Sequence, residues 1–108
     1  KMGRVTNKRV IEELERIKKK LSKKYKIQKM LLFGSRARGD YKLTSDVDLI
    51  VVSKDFKKYS FRERPNDFLD IWLLPIDFEV LCYTPEEFIR KKKEYGLVRE
   101  AAKDGQKI

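Results

Sequence analysis

Residues Leu31 to Ser53 read LLFGSRARGDYKLTSDVDLIVVS. An apolar run stops at Gly34-Ser35, a basic turn follows, and Asp46-Val47-Asp48 opens a second apolar run. Ile27–Phe33 reads as a strand ended by Gly34. Val47–Val52, short, continuous and β-branched, reads as a second, buried strand. Residues two apart on a strand point to the same face, so Asp46 and Asp48 project together at the start of the second strand. Two like charges this close repel, and each disfavours ionisation of the other. A bound divalent cation reverses the sign of that interaction. Oxygen ligands without His or Cys suit a hard cation, Mg²⁺ or Mn²⁺. The chain has no histidine, which also excludes Ser-His and Cys-His mechanisms and His-based zinc sites.

A two-metal site needs a third carboxylate, and a third strand at Ile76–Tyr83 offers two. In PIDFEVLCYTPEEF, Asp77 and Glu79 share one face with Leu81 and Tyr83. An acidic group inside an apolar strand is costly unless paired or metal-bound. If the second and third strands are neighbours, Asp46, Asp48 and either Asp77 or Glu79 converge.

Gly34-Ser35 supplies the other half of a site. Glycine permits a tight turn and close backbone approach after a strand. Ser35 is expected to cap a short helix through Arg38, presenting its hydroxyl and free N–H groups to an anion. Arg36 and Arg38 add positive charge, with Arg36 the nearer. The pattern is a phosphate cradle but not a Walker A loop, because no GK[ST] follows. Together, the turn holds a polyphosphate and the carboxylates hold the metals that bridge it, which is the arrangement for nucleotidyl transfer.

Outward from this centre, Asn7 is expected to cap a helix running to about Lys24, with Val10, Leu14, Ile17 and Leu21 as its apolar stripe and Glu12–Arg16 as an i, i+4 pair. Residues 53–64 read as a loop, with Arg62 and Arg64 as solvated charge. Pro65 opens a short helix through Leu74. Thr84-Pro85-Glu86-Glu87 is a capping box with Pro at the first helical position, starting a helix to about Tyr95. Leu97–Lys103 is a last helix, ended by Gly105. The 108 residues fit one domain of α/β or α+β class. A core this modest leaves room for a second copy, as a homodimer, or a partner chain to complete it.

The net charge of +10 favours polyanions: nucleotides, nucleic acid or an acidic protein surface. Lys and Arg are scattered over helix faces and ends, which argues against a dedicated nucleic-acid stripe. The lone Cys82 lies in an apolar run and reads as a buried thiol. No apolar run reaches membrane-spanning length and the first residues lack an h-region, so a soluble, cytoplasmic protein without a membrane partner is expected.

GS, ten intervening residues, then DVD and an apolar run resembles the DNA polymerase β-type nucleotidyltransferase superfamily. FGSRARGD, TSDVDLIVV, the acidic third strand before TPEEF and the terminal VREAAKDG resemble most its minimal nucleotidyltransferases, small domains often encoded beside a HEPN-domain partner. The resemblance implies a short mixed sheet flanked by helices, packed mainly on one side. It implies ATP or another NTP at Gly34, Ser35 and Arg36, and two Mg²⁺ ions at Asp46, Asp48 and Glu79, which become the catalytic acids. Glu79 stands where the family usually has Asp, and Asp77 is the alternative ligand. The implied reaction is transfer of AMP to a hydroxyl, such as a tyrosine of a HEPN toxin, giving an antitoxin. The competing expectation is a binding module that neutralises such a partner by contact alone.

Overall fold

The computed structural model describes residues 3–108. In chain order the elements are α1 (Asn7–Leu21), β1 (Lys29–Phe33), α2 (Ser35–Arg38), β2 (Val47–Val52), α3 (Asn66–Asp70), β3 (Phe78–Tyr83), α4 (Pro85–Lys92), α5 (Leu97–Asp104) and β4 (Gln106–Lys107). The four strands form one mixed sheet in the order β3-β2-β1-β4. β1 is antiparallel to β2 and β4, and β2 is parallel to β3. A parallel pair needs a crossover; α3 lies on this one, between β2 and β3.

Helices cover both faces of this sheet, not mainly one. Met30, Leu32, Leu49, Val51, Val80 and Cys82 pack with Val10, Leu14 and Ile17 of α1 and Phe68 of α3. Leu31, Phe33, Ile50, Val52 and Tyr83 pack with Phe88 of α4 and Val98 and Ala101 of α5. The cause is legible in β1 and β2. Their apolar runs do not alternate with polar residues, so side chains on both faces need cover.

Helix ends depart from expectation where a side chain has a better partner. Thr6, not Asn7, caps α1 and accepts from the Arg9 N–H. Asn7 instead donates to the Arg36 carbonyl at 2.8 Å. Arg16 pairs with Glu13 rather than Glu12, at 2.7 Å, and Glu13 also accepts from the Leu73 N–H. The Arg16 hydrogen bond holds the Glu13 carboxyl below its usual range. α3 ends at Asp70, four residues early; beyond it Trp72 stacks on Phe78 with ring centroids 3.9 Å apart. α4 stops at Lys92, and residues Lys54–Lys58 of the expected loop wind into a 3-10 turn. β4 carries no strand signal in its sequence; it is a tail zipped against Leu31 and Leu32.

The capping box at Thr84 and Glu87 is present. Glu87 has a second partner: Arg64, buried rather than solvated, bonds it at 2.6 Å and also donates to the Cys82 carbonyl. The Cys82 thiol is buried, and burial pushes its pKa up to about 12, so it is inert. No helix among the described residues is long and apolar enough to cross a membrane.

Candidate active site

Three strands deliver one residue each to the same end and face of the sheet. Register aligns Phe33 of β1 with Asp48 of β2, and Asp48 with Glu79 of β3. Because β2 and β3 are parallel, both acids stand near the starts of their strands. Of Glu79 and Asp77, Glu79 is the residue that the register places beside Asp48. Asp77, exposed like Glu79, precedes β3, and its carbonyl accepts from the Val47 N–H at 2.9 Å.

The Asp48 carboxyl is pushed up to about 6, first by burial, then by its hydrogen bond to Glu79 and by the charges of Glu79 and Asp46. Such a pair holds a proton between its members unless a cation replaces it. Asp46 is exposed, ahead of the strand. Its charge reaches Asp48, but among the described residues no three His, Cys, Asp or Glu side chains stand together as a ready cation site. Asp48 and Glu79 thus fit a hard cation as an oxygen pair. Asp46 would join them by turning inward.

Gly34 forms the floor of the site. Its φ of +78 lies where side chains are rarely tolerated, and a Cβ there would sit 2.7 Å from Oδ2 of Asp48. Gly34, not Ser35, is the N-cap of α2; its carbonyl accepts from the N–H groups of Ala37 and Arg38, and Ser35 is the first helical residue. The first N–H groups of such a helix lack intrahelical partners and face outward. Gly34→Ala is expected to cost about 1–3 kcal/mol of stability from backbone strain. It should also displace the Asp48 carboxylate. A thermal melt together with a Mg²⁺ titration checks both, and an unchanged metal affinity would show that the close approach is unimportant.

Arg36 does not face this site. It is 1% exposed, and its guanidinium donates to the carbonyls of Val5, Leu43 and Ser45 and to Oδ1 of Asn7. Its N–H donors are all taken, so the expected phosphate contact is corrected: Arg36 pins the β1–β2 loop to the segment ahead of α1. Arg38 is a basic group at the rim, 3.5 Å from Asp40.

A pocket of about 260 Å³ opens over the carboxylates, lined by Phe33, Gly34, Asp48, Glu79, Leu81 and Leu97. A second, of about 300 Å³, shares Phe33, Gly34 and Leu97 and continues along α5 past Ala101. Leu97 and Leu81 gave no sequence signal as site residues. Both are single apolar positions: Leu97 arrives because α5 folds back over β1, and Leu81 because it shares the strand face of Glu79.

Residues 14–108 match the nucleotidyltransferase domain family. The chain belongs to that family. Two relatives from Methanocaldococcus jannaschii carry the name "putative protein adenylyltransferase". One is 33% identical over 97 residues, covering 82% of this chain and 96% of the relative. Another is 41% identical over 88 residues, covering 81% and 90%. A crystal structure titled "putative nucleotidyltransferase" from Sulfolobus solfataricus superposes with a TM-score of 0.62 at 27% identity, covering 78% of this chain and 75% of that one. This nucleotidyltransferase is therefore a transferase enzyme of the minimal kind that its GS and DVD motifs resemble, and its family implies a nucleoside triphosphate substrate.

Proposed function

We propose that the chain transfers AMP from ATP to a hydroxyl of a protein, with Mg²⁺ as the cofactor. The observation that carries this is the Asp48–Glu79 pair, two acids in register on neighbouring strands, beside a glycine turn where a Cβ would sit 2.7 Å from Oδ2 of Asp48. Asp48, Glu79 and Asp46 would hold the metal, which supplies positive charge to the reacting phosphate and its leaving group. Gly34 and Ser35 would take the phosphate tail on backbone N–H groups and the Ser35 hydroxyl. The acceptor oxygen forms a bond to the α-phosphorus. The bond from that phosphorus to the bridging oxygen breaks, pyrophosphate leaves with the electron pair, and the acceptor proton passes to solvent. A protein acceptor follows the names of the relatives. The resemblance noted from sequence makes a tyrosine of a HEPN-type toxin the favoured acceptor and the chain an antitoxin acting in the cytoplasm.

The test is incubation of the chain with α-labelled ATP, Mg²⁺ and a HEPN-domain partner. Label on the partner with release of pyrophosphate is the expected result. Inhibition of the partner without label would instead establish the contact-only module.

Metal dependence has its own signature. The folded-state pKa of Asp48 is raised from 3.8 to about 6, so the folded chain holds more protons than the unfolded one between those values. Without metal, this group's contribution to stability is most favourable below the unfolded value and is lost as pH rises through about 6. Adding Mg²⁺ is expected to raise the melting temperature by several degrees at pH 7.5, where the pair is ionised, and by far less at pH 5. Equal shifts at both pH values would remove the pair as the metal site.

A further inference from the structure

We propose that the groove between the outer edge of β3 and α4 binds an extended acidic segment of the acceptor protein, delivering its hydroxyl to the Asp48–Glu79 pair. This rests on the reading of the chain as a protein-modifying transferase.

β3 is the end strand of the sheet. The Asp77 carbonyl accepts from the Val47 N–H at 2.9 Å and the Tyr83 carbonyl from the Ser53 N–H at 3.0 Å. Odd-numbered backbone groups therefore face β2, and those of Phe78, Val80 and Cys82 face outward. Arg64 closes this edge at one end by donating to the Cys82 carbonyl. Among the described residues no backbone hydrogen bond reaches the outward groups of Val80. The unpaired groups of Val80 are the ones that the backbone of an added strand would bond, a recurrent mode of peptide capture.

Beside this edge lies a groove of about 430 Å³, formed by Phe61, Leu81, Tyr83, Glu87, Arg90 and Lys91. Leu81 also lines the carboxylate pocket, so this one side chain borders both spaces. The rings of Phe61 and Tyr83 lie 5.5 Å apart and give the groove an apolar floor. Its one acid, Glu87, is already neutralised by Arg64 at 2.6 Å. Arg90 is exposed, and Lys91 has only a loose 3.8 Å pairing with Glu94. A cationic rim above an apolar floor complements an acidic peptide with an aromatic or apolar residue. Strand geometry fixes the rest. On a strand paired with β3, the residue opposite Glu79 points to the face of Asp48, and its neighbour two positions along lies opposite Leu81, over the groove.

The probe is a fluorescent heptapeptide with a central tyrosine flanked by glutamates, and its counterpart flanked by lysines. Anisotropy is read without nucleotide at near-physiological salt. The acidic peptide is expected to bind at least about tenfold more tightly than the basic one. The double variant R90E/K91E should lose at least that factor. K19E/K20E on exposed α1, with the same change in net charge, should retain the affinity. Equal losses in both variants, or equal binding of both peptides, would overturn the groove. So would displacement of the acidic peptide by an RNA oligomer from the K19E/K20E and wild-type chains alike with no dependence on Arg90 and Lys91. Binding of Mg²⁺ and ATP is measured separately on the same preparation. Peptide capture without any AMP transfer would sink the enzymatic reading and leave the groove standing; transfer undiminished in R90E/K91E would do the reverse.

Discussion

Asp48→Ala is expected to lower AMP transfer by roughly 10³-fold or more, and in Mg²⁺-free buffer at pH 7.5 to raise the melting temperature of the same protein. The two changes have one cause. Asp48 is the middle residue of the three-strand row from Phe33 to Glu79, and its carboxyl touches Glu79. Ionising it in a partly buried place beside another acid is unfavourable, which is why its pKa stands near 6. Removing it relieves a cost of the order of 1 kcal/mol after allowance for solvent screening. Under the proposed function, the same removal would take away a ligand from a metal whose charge stabilisation is worth several kcal/mol in the transition state. A residue retained at a cost to stability is one held for function. Asp46→Ala separates this from a general charge effect. Asp46 is exposed, so its loss should leave the melting temperature close to the wild-type value while still reducing transfer. Calorimetric melts in EDTA and initial rates with saturating Mg²⁺ read the two quantities. If Asp48→Ala destabilised the metal-free protein, the carboxyl would be a structural hydrogen-bond partner and not half of a cation site.

The sequence disclosed this site unevenly, for physical reasons. Gly34 and Asp48 were legible because a glycine before a polar turn and an acid inside an apolar run are each costly unless something requires them. Glu79 was legible as one of two candidates. The period-2 rule puts Asp77 on the same face, and only the pairing register, a long-range property, places Glu79 opposite Asp48. The two-sided helical cover was implicit in the unbroken apolar runs of β1 and β2, yet strand sequences do not say which helices arrive. β4 was invisible, since Gln106 and Lys107 gain their conformation from the β1 edge and not from propensity. The misjudged side chains, Arg36 and Arg64, share one property. A long cationic side chain in a loop reads as solvated or phosphate-facing. Its burial depends on whether distant carbonyls gather around it, as those of Val5, Leu43 and Ser45 do for Arg36 and those of Tyr59 and Cys82 for Arg64.

Arg36→Met is expected to destabilise the chain by about 3–5 kcal/mol, a large share of what a domain of this size has. Methionine has similar reach and fits an apolar surrounding, so the loss isolates the polar role. The wild-type guanidinium is buried with no carboxylate partner among the described residues; burial pushes its pKa down, and it remains charged because five N–H contacts surround it. Removing it strands the carbonyls of Val5 and Ser45, while that of Leu43 keeps its bond from the Val5 N–H at 2.8 Å. These residues lie ahead of α1 and in the loop that delivers Asp46 to β2, so the same change should loosen the start of β2. Tyr41, whose ring lies 4.8 Å from the guanidinium carbon, would lose its cationic partner. A fall in melting temperature of roughly 15–30 °C is the corresponding observation. Arg36→Lys separates the two possible roles. Lysine keeps the charge but offers only a compact three-donor head, which cannot span carbonyls on both sides. A scaffold role therefore predicts that Arg36→Lys loses most of the stability, while the ATP affinity of the folded fraction, measured well below its melting temperature, changes less than about threefold. A stable Arg36→Lys variant with ATP affinity reduced tenfold or more would return Arg36 to the phosphate.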